Sequence, residues 1–121
     1  MKRFGRPPQT RLRSSVEFAR IYDAKQKAGD GHLLVFAARN ELGLARCGVS
    51  VSKKHGGAVR RNRLKRLLRE AFRLERPELP AGLDLVLIPR QDSGATLADY
   101  RRSLRNLAQK LARRMPREER P

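Results

Sequence analysis

The chain has 121 residues, with 29 Lys or Arg against 12 Asp or Glu, a formal net charge of +17 and a single cysteine. Such a length suits one domain with a small two-layer core, and such a charge points to a polyanionic partner, a nucleic acid. The lone Cys47 excludes an internal disulfide and a thiolate zinc cluster and reads as a small buried hydrophobe; no apolar run approaches the ~20 residues of a helical membrane span, and no signal-peptide pattern follows the basic start, so the cytoplasm is the expected location.

Residues 1–10, with Lys2, Arg3, Arg6, Pro7 and Pro8, read as a basic flexible arm. Ser14 and Glu17 have the spacing of a capping box, and a helix is expected over about 15–24 with Phe18, Ile21 and Tyr22 on one face. Lys25–Gly31 reads as a flexible loop. Leu33–Ala38 is a short apolar run between turn signals, hence a strand, with Leu34, Phe36 and Ala38 on one face and Leu33, Val35 and Ala37 on the other. Ala45–Ser52 reads as the next strand, with Cys47, Val49 and Val51 alternating against Arg46, Gly48, Ser50 and Ser52.

Gly56-Gly57 breaks the pattern and a helix follows to about Leu74, closed by Pro77 and Pro80. Leu64, Leu67, Leu68 and Ala71 form its apolar stripe; Asn62, Arg66, Arg69 and Arg73 form a basic stripe nearly opposite. Leu83–Ile88 is a further strand ended by Pro89. Thr96 and Asp99 give a second box-like start, and Leu97, Tyr100, Leu104, Leu107, Ala108 and Leu111 repeat at helical spacing to about Arg114. Residues 115–121 read as a disordered tail. The expected architecture is a single α+β domain over 11–114, a small two-layer sandwich in the order α-β-β-α-β-α, or α-β-β-β-α-β-α with a short extra strand.

The stretch Lys53–Arg73 carries nine Lys or Arg and one acid, Glu70, a net +8. Salt-bridged surface helices interleave their signs; this segment does not, which favours phosphate recognition over an ordinary solvated face. Glu70, four residues after Arg66 and three before Arg73, reads as a residue that holds those arginines in place. Of the aromatic residues, Phe18, Tyr22 and Phe36 fall on neighbouring elements and fit either ordinary core or a platform on which unpaired bases stack. No carboxylate cluster suggests a two-metal nuclease, Gly56-Gly57 lacks the ending of a phosphate-binding loop, and nothing brings His32 and His55 together as an acid–base pair.

The block Arg46-Cys47-Gly48-Val49-Ser50-Val51-Ser52-Lys53-Lys54, followed by Ala58-Val59-Arg60-Arg61-Asn62-Arg63-Leu64-Lys65-Arg66-Leu67-Leu68-Arg69-Glu70-Ala71-Phe72, closely resembles the signature of the bacterial ribonuclease P protein subunit: a strand ending in Val-Ser-Lys-Lys, then Ala-Val-x-Arg-Asn-x-x-Lys-Arg-x-x-Arg-Glu on a helix. The core match covers about 27 residues, and the flanking elements extend the resemblance over roughly 10–114. The resemblance implies an α+β sandwich with a left-handed β-α-β crossover. It implies a non-catalytic protein subunit of a ribonucleoprotein endoribonuclease, in which a large RNA with Mg²⁺ removes the 5′ leader of precursor tRNA. The implied partners are that RNA and precursor tRNA, with no DNA, no membrane and no metal held by the protein itself. Arg61, Asn62, Arg63, Lys65, Arg66, Arg69 and Arg73 would then face the catalytic RNA. Phe18, Tyr22, Phe36, Ser50, Ser52, Lys53 and Lys54 would line a cleft for the single-stranded leader. Composition alone also fits a small ribosomal or other structural RNA-binding protein, and a nuclease acting through its histidines is a further rival.

Overall fold

The structure is a computed structural model and describes residues 10–115; most of the basic arm and of the tail expected from the sequence lie outside the described residues. Helix α1 spans Ser15–Asp23. Strands β1 (Gln26–Gly29), β2 (Leu33–Arg39) and β3 (Arg46–Val49) follow. Helix α2 runs Ala58–Glu75, β4 covers Leu83–Pro89 and α3 covers Leu97–Arg114. The four strands form one mixed sheet in the order β1-β2-β4-β3. β2 is antiparallel to both β1 and β4, while β3 and β4 are parallel neighbours joined through α2, the β-α-β unit that the resemblance implies.

Two expectations are corrected. The segment 25–31 is not a loop throughout: Gln26–Gly29 pairs with Leu34–Ala37 as an edge strand. The strand read over Ala45–Ser52 keeps its ladder only over Arg46–Val49, after which Lys53–His55 folds into a 3-10 turn. Ser52 starts that turn, its hydroxyl accepting from the Lys54 amide at 3.4 Å.

Period-2 alternation gives the sheet two unlike faces. One presents Leu33, Val35, Ala37, Cys47, Leu83, Leu85 and Leu87, all buried beneath Leu68, Ala71 and Phe72 of α2 and Tyr100, Leu104, Leu107 and Leu111 of α3. The apolar stripes expected on both helices are therefore their core faces. Thr96 caps α3, accepting from the Asp99 amide at 3.2 Å while the Asp99 carboxylate accepts from the Thr96 amide at 2.9 Å. Buried Glu75 ties α2 to α3 through Arg101 at 2.7 Å and Arg105 at 3.0 Å; the Arg105 hydrogen bond outweighs burial, and with Arg101 it holds the Glu75 carboxyl below the usual range.

The other face carries Phe36, Ala38, Val86 and Gly48, and among the described residues α1 is the one helix that covers it, with Leu12 beside it. Ile21 is fully buried there with Leu12, Ala38 and Val86, and Phe18, Tyr22, Phe36 and Ile88 pack around them half-exposed. Ser14 caps α1, accepting from the Glu17 amide at 3.1 Å. The reciprocal half of the expected box is displaced: the Glu17 carboxylate accepts from the Arg13 amide at 3.4 Å and also pairs with Arg46 at 3.3 Å.

Candidate RNA interface

Asp84 is the residue that fixes α1 on the sheet. It is fully buried in β4. Its carboxylate accepts from Arg46 Nε and Nη2, both at 2.8 Å, from Asn40 Nδ2 at 2.7 Å, and from Arg20 of α1. Burial opposes the charge of Asp84, but the hydrogen bonds from Arg46 and Asn40 and the nearby positive charge of Arg46 and Arg20 prevail and hold its carboxyl below the usual range. One buried anion thus binds β3, the β2–β3 turn and α1 together. Sequence reasoning found Asp84 in a strand between leucines but not its partners, which lie 38 to 64 residues away in the chain.

Beside this anchor the aromatic residues converge. The Tyr22 and Phe36 rings meet edge to face at 4.9 Å, and Phe18 lies 6.5 Å from Tyr22. Lys27 Nζ of β1 sits 5.7 Å above the Phe36 ring, a cation–π contact that the loop reading of 25–31 could not foresee. Gly48 makes room for Phe18: a Cβ at this position would stand 2.5 Å from the end of the Phe18 ring. The three aromatic side chains therefore form one half-open strip along the junction of α1 and the sheet.

Ser50, Ser52, Lys53 and Lys54 lie in the chain between β3 and α2. The Ser50 amide donates to the Leu87 carbonyl at 2.9 Å, extending the sheet by one bond. Lys53 and Lys54 are exposed. The 3-10 turn that presents them is pinned by His55, whose Nδ1 accepts from the Ser52 amide at 3.0 Å and whose Nε2 lies 2.7 Å from the Pro89 carbonyl. Both ring nitrogens are occupied and the ring is buried, so His55 is a structural pin rather than an acid–base group.

The outer face of α2 carries no such ties. Asn62, Lys65, Arg66, Arg69, Glu70 and Arg73 line one shallow groove. Among the described residues Arg73 alone of these arginines is paired, with Glu70 at 2.6 Å; Glu70 does not bond Arg66 as its spacing suggested. Arg63 lies apart from this groove, lining a cleft with Arg60, Leu64, Leu67 and Arg90, so the basic residues of the motif look in two directions. The helix begins at Gly57 without a side-chain cap and has no acid in its first turn, which leaves a positive helix end beside Lys53 and Lys54. Cys47 is buried, its thiol pushed up to about 12 by desolvation, in keeping with its reading as a small hydrophobe.

The family model described as Ribonuclease P matches residues 7–112. The chain belongs to this family. It is 42% identical over 121 residues to the ribonuclease P protein component of Desulfovibrio desulfuricans, covering 96% of this chain and 93% of that one. To the protein component of Clostridioides difficile it is 36% identical over 101 residues, 82% of this chain and 89% of the other. Among solved structures, the RNase P protein from Thermotoga maritima superposes with a TM-score of 0.75 at 33% identity, over 83% of this chain and 96% of that chain. The RNase P protein of Staphylococcus aureus gives 0.71 at 32%, over 85% and 94%. Family membership assigns this chain a role in an endoribonuclease complex of tRNA processing, and the ribosomal reading gives way to it. No helix among the described residues is long and apolar enough to cross a membrane.

Proposed function

We propose that this chain is the RNA-binding subunit of ribonuclease P and that it holds two RNAs on two faces. The outer face of α2 takes the catalytic RNA through Asn62, Lys65, Arg66, Arg69 and Arg73, with Arg61 and Arg63 flanking. The strip formed by Phe18, Tyr22 and Phe36 takes the single-stranded 5′ leader of precursor tRNA, with Ser50, Ser52, Lys53 and Lys54 at its border. The observation that carries this reading is the half-open aromatic strip on one face of the sheet, together with the exposed Lys53 and Lys54 leading into a basic helix face with a single acid.

The physical roles follow from the side chains. Each phosphate met by Arg or Lys releases counterions, so association weakens steeply with salt. Each base stacked on an aromatic ring contributes roughly 1–3 kcal/mol with little regard to sequence, which suits leaders of varied sequence. The described residues bring no three His, Cys, Asp or Glu side chains together as a metal site, and in this reading Mg²⁺ and the hydrolysis of the phosphodiester belong to the RNA. The protein's share is to screen phosphate charge and to hold the substrate.

Reconstitution tests this. The chain, a bacterial ribonuclease P RNA and a precursor tRNA are combined at low Mg²⁺. Cleavage at the mature 5′ end only when protein and RNA are both present is expected. Absence of stimulation by folded protein would refute the subunit role, and cleavage by protein alone would refute the assignment of chemistry to the RNA.

A further inference from the structure

The edge of β3 is not bare. The Cys47 amide donates to the Thr10 carbonyl at 2.9 Å, and the Leu12 amide donates to the Cys47 carbonyl at 2.8 Å, so Arg11 pairs in parallel with Cys47 as a one-residue bridge. Leu12 turns into the core beneath α1. Arg11 turns the other way, toward α2, and two adjoining clefts meet at it. One, of about 220 Å³, runs from Arg11 past Arg69 to Arg73 and Arg76 over a floor of Cys47 and Phe72. The other, of about 210 Å³, runs from the same Arg11 and Arg69 past Arg13 to Phe18 and Gly48.

Among the described residues Arg11, Arg13 and Arg69 form no ion pair. The acid nearest Arg11 and Arg13 along the chain, Glu17, gives its carboxylate to Arg46 and to the Arg13 amide, and Glu70, next to Arg69, gives its carboxylate to Arg73. Burial first, and then the like charges of Arg11 and Arg13, push the Arg69 guanidinium downward. Guanidinium groups held together by a fixed backbone, with no carboxylate among them, are set for a phosphate.

We propose that Arg11, Arg13 and Arg69 form a phosphate-binding bridge across the β3 edge. It takes the phosphodiester backbone of one RNA strand running between the Phe18 strip and the outer face of α2. The proposal rests on the reading that both flanking faces hold RNA, and adds the residues that join them. The strand is a segment either of the leader or of the catalytic RNA; the chemistry recognised is the same.

The test uses the full chain with Arg11→Gln and Arg13→Gln together, and a second variant with Lys at both positions. Binding to the catalytic RNA, and of the assembled holoenzyme to precursor and mature tRNA, is measured against salt. The Gln variant is expected to lower the log–log salt slope by about 0.7 for each single-strand phosphate that it no longer neutralises, with Lys restoring most of it. A change confined to catalytic-RNA binding identifies that RNA as the occupant; a change confined to substrates with a leader identifies the leader. Unchanged slopes in both arms, with the wild type still stimulating cleavage, would overturn the bridge and leave the subunit role standing. A wild type that binds neither RNA would remove both.

Discussion

The two faces of the sheet differ in what covers them. Under α2 and α3 the face is sealed: Leu83, Leu85 and Leu87 of β4 are fully buried with Val35 and Leu104. Under α1 the cover is partial, and the aromatic side chains that would close a core are left half-exposed beside Lys27. The apolar area on the sealed face stabilises the fold; the open face is held in shape by a charge network instead. The larger apolar core thus lies on one side of the four-stranded sheet and the half-open aromatic strip on the other, and Asp84, a fully buried carboxylate, anchors the open side.

Breaking that junction should have the largest effect. Asp84→Ala leaves the largely buried Arg46 with only the Glu17 carboxylate at 3.3 Å and removes the tie between β4 and Arg20 of α1; removing one member of such a buried pair costs about 3–5 kcal/mol, measurable by urea unfolding. The pH dependence follows with its sign. The folded carboxyl of Asp84 is depressed, so the unfolded chain binds the proton first. The stabilisation is fully present above the ordinary Asp value of about 3.9 and is lost as pH falls through the folded value. Melting temperature should therefore drop below about pH 4, and less so in Asp84→Asn, which starts lower. A wild-type profile no steeper than that of the variant would contradict the network.

The comparison is sharpened by a change on α2. Arg66→Ala should leave stability near wild type and lower the salt slope for catalytic-RNA binding by roughly 0.7–0.9; an unchanged slope would count against phosphate contact. Gly48→Ala should act on the other side alone and more weakly. The added Cβ pushes the Phe18 ring off β3, so affinity for precursor tRNA should fall while catalytic-RNA binding stays constant. Equal losses for both RNAs would mean that the strip and the helix are not separate sites.

Much of this was legible in the sequence because it is written in local periodicity. The alternation of 33–38, the helical stripes of 58–75 and 97–114 and the Thr96 cap each depend on residues a few positions apart. β1 was not, because Gln26-Lys27-Ala28-Gly29 buries only Ala28 and owes its extended form to pairing with β2. Nor was the Asp84 network, whose partners come together only through the tertiary fold. The Arg11 bridge left one faint trace, an apolar Leu12 between two arginines, which is the period-2 pattern of an edge strand.

The most direct test of the two-face account is Phe36→Ala in the assembled holoenzyme, with affinities for precursor and mature tRNA measured side by side. The account predicts unchanged assembly with the catalytic RNA and a loss for precursor of roughly 5- to 150-fold, the worth of one base stack, with mature tRNA bound as before. An equal loss for both substrates would contradict it and return Phe36 to the role of an ordinary core residue.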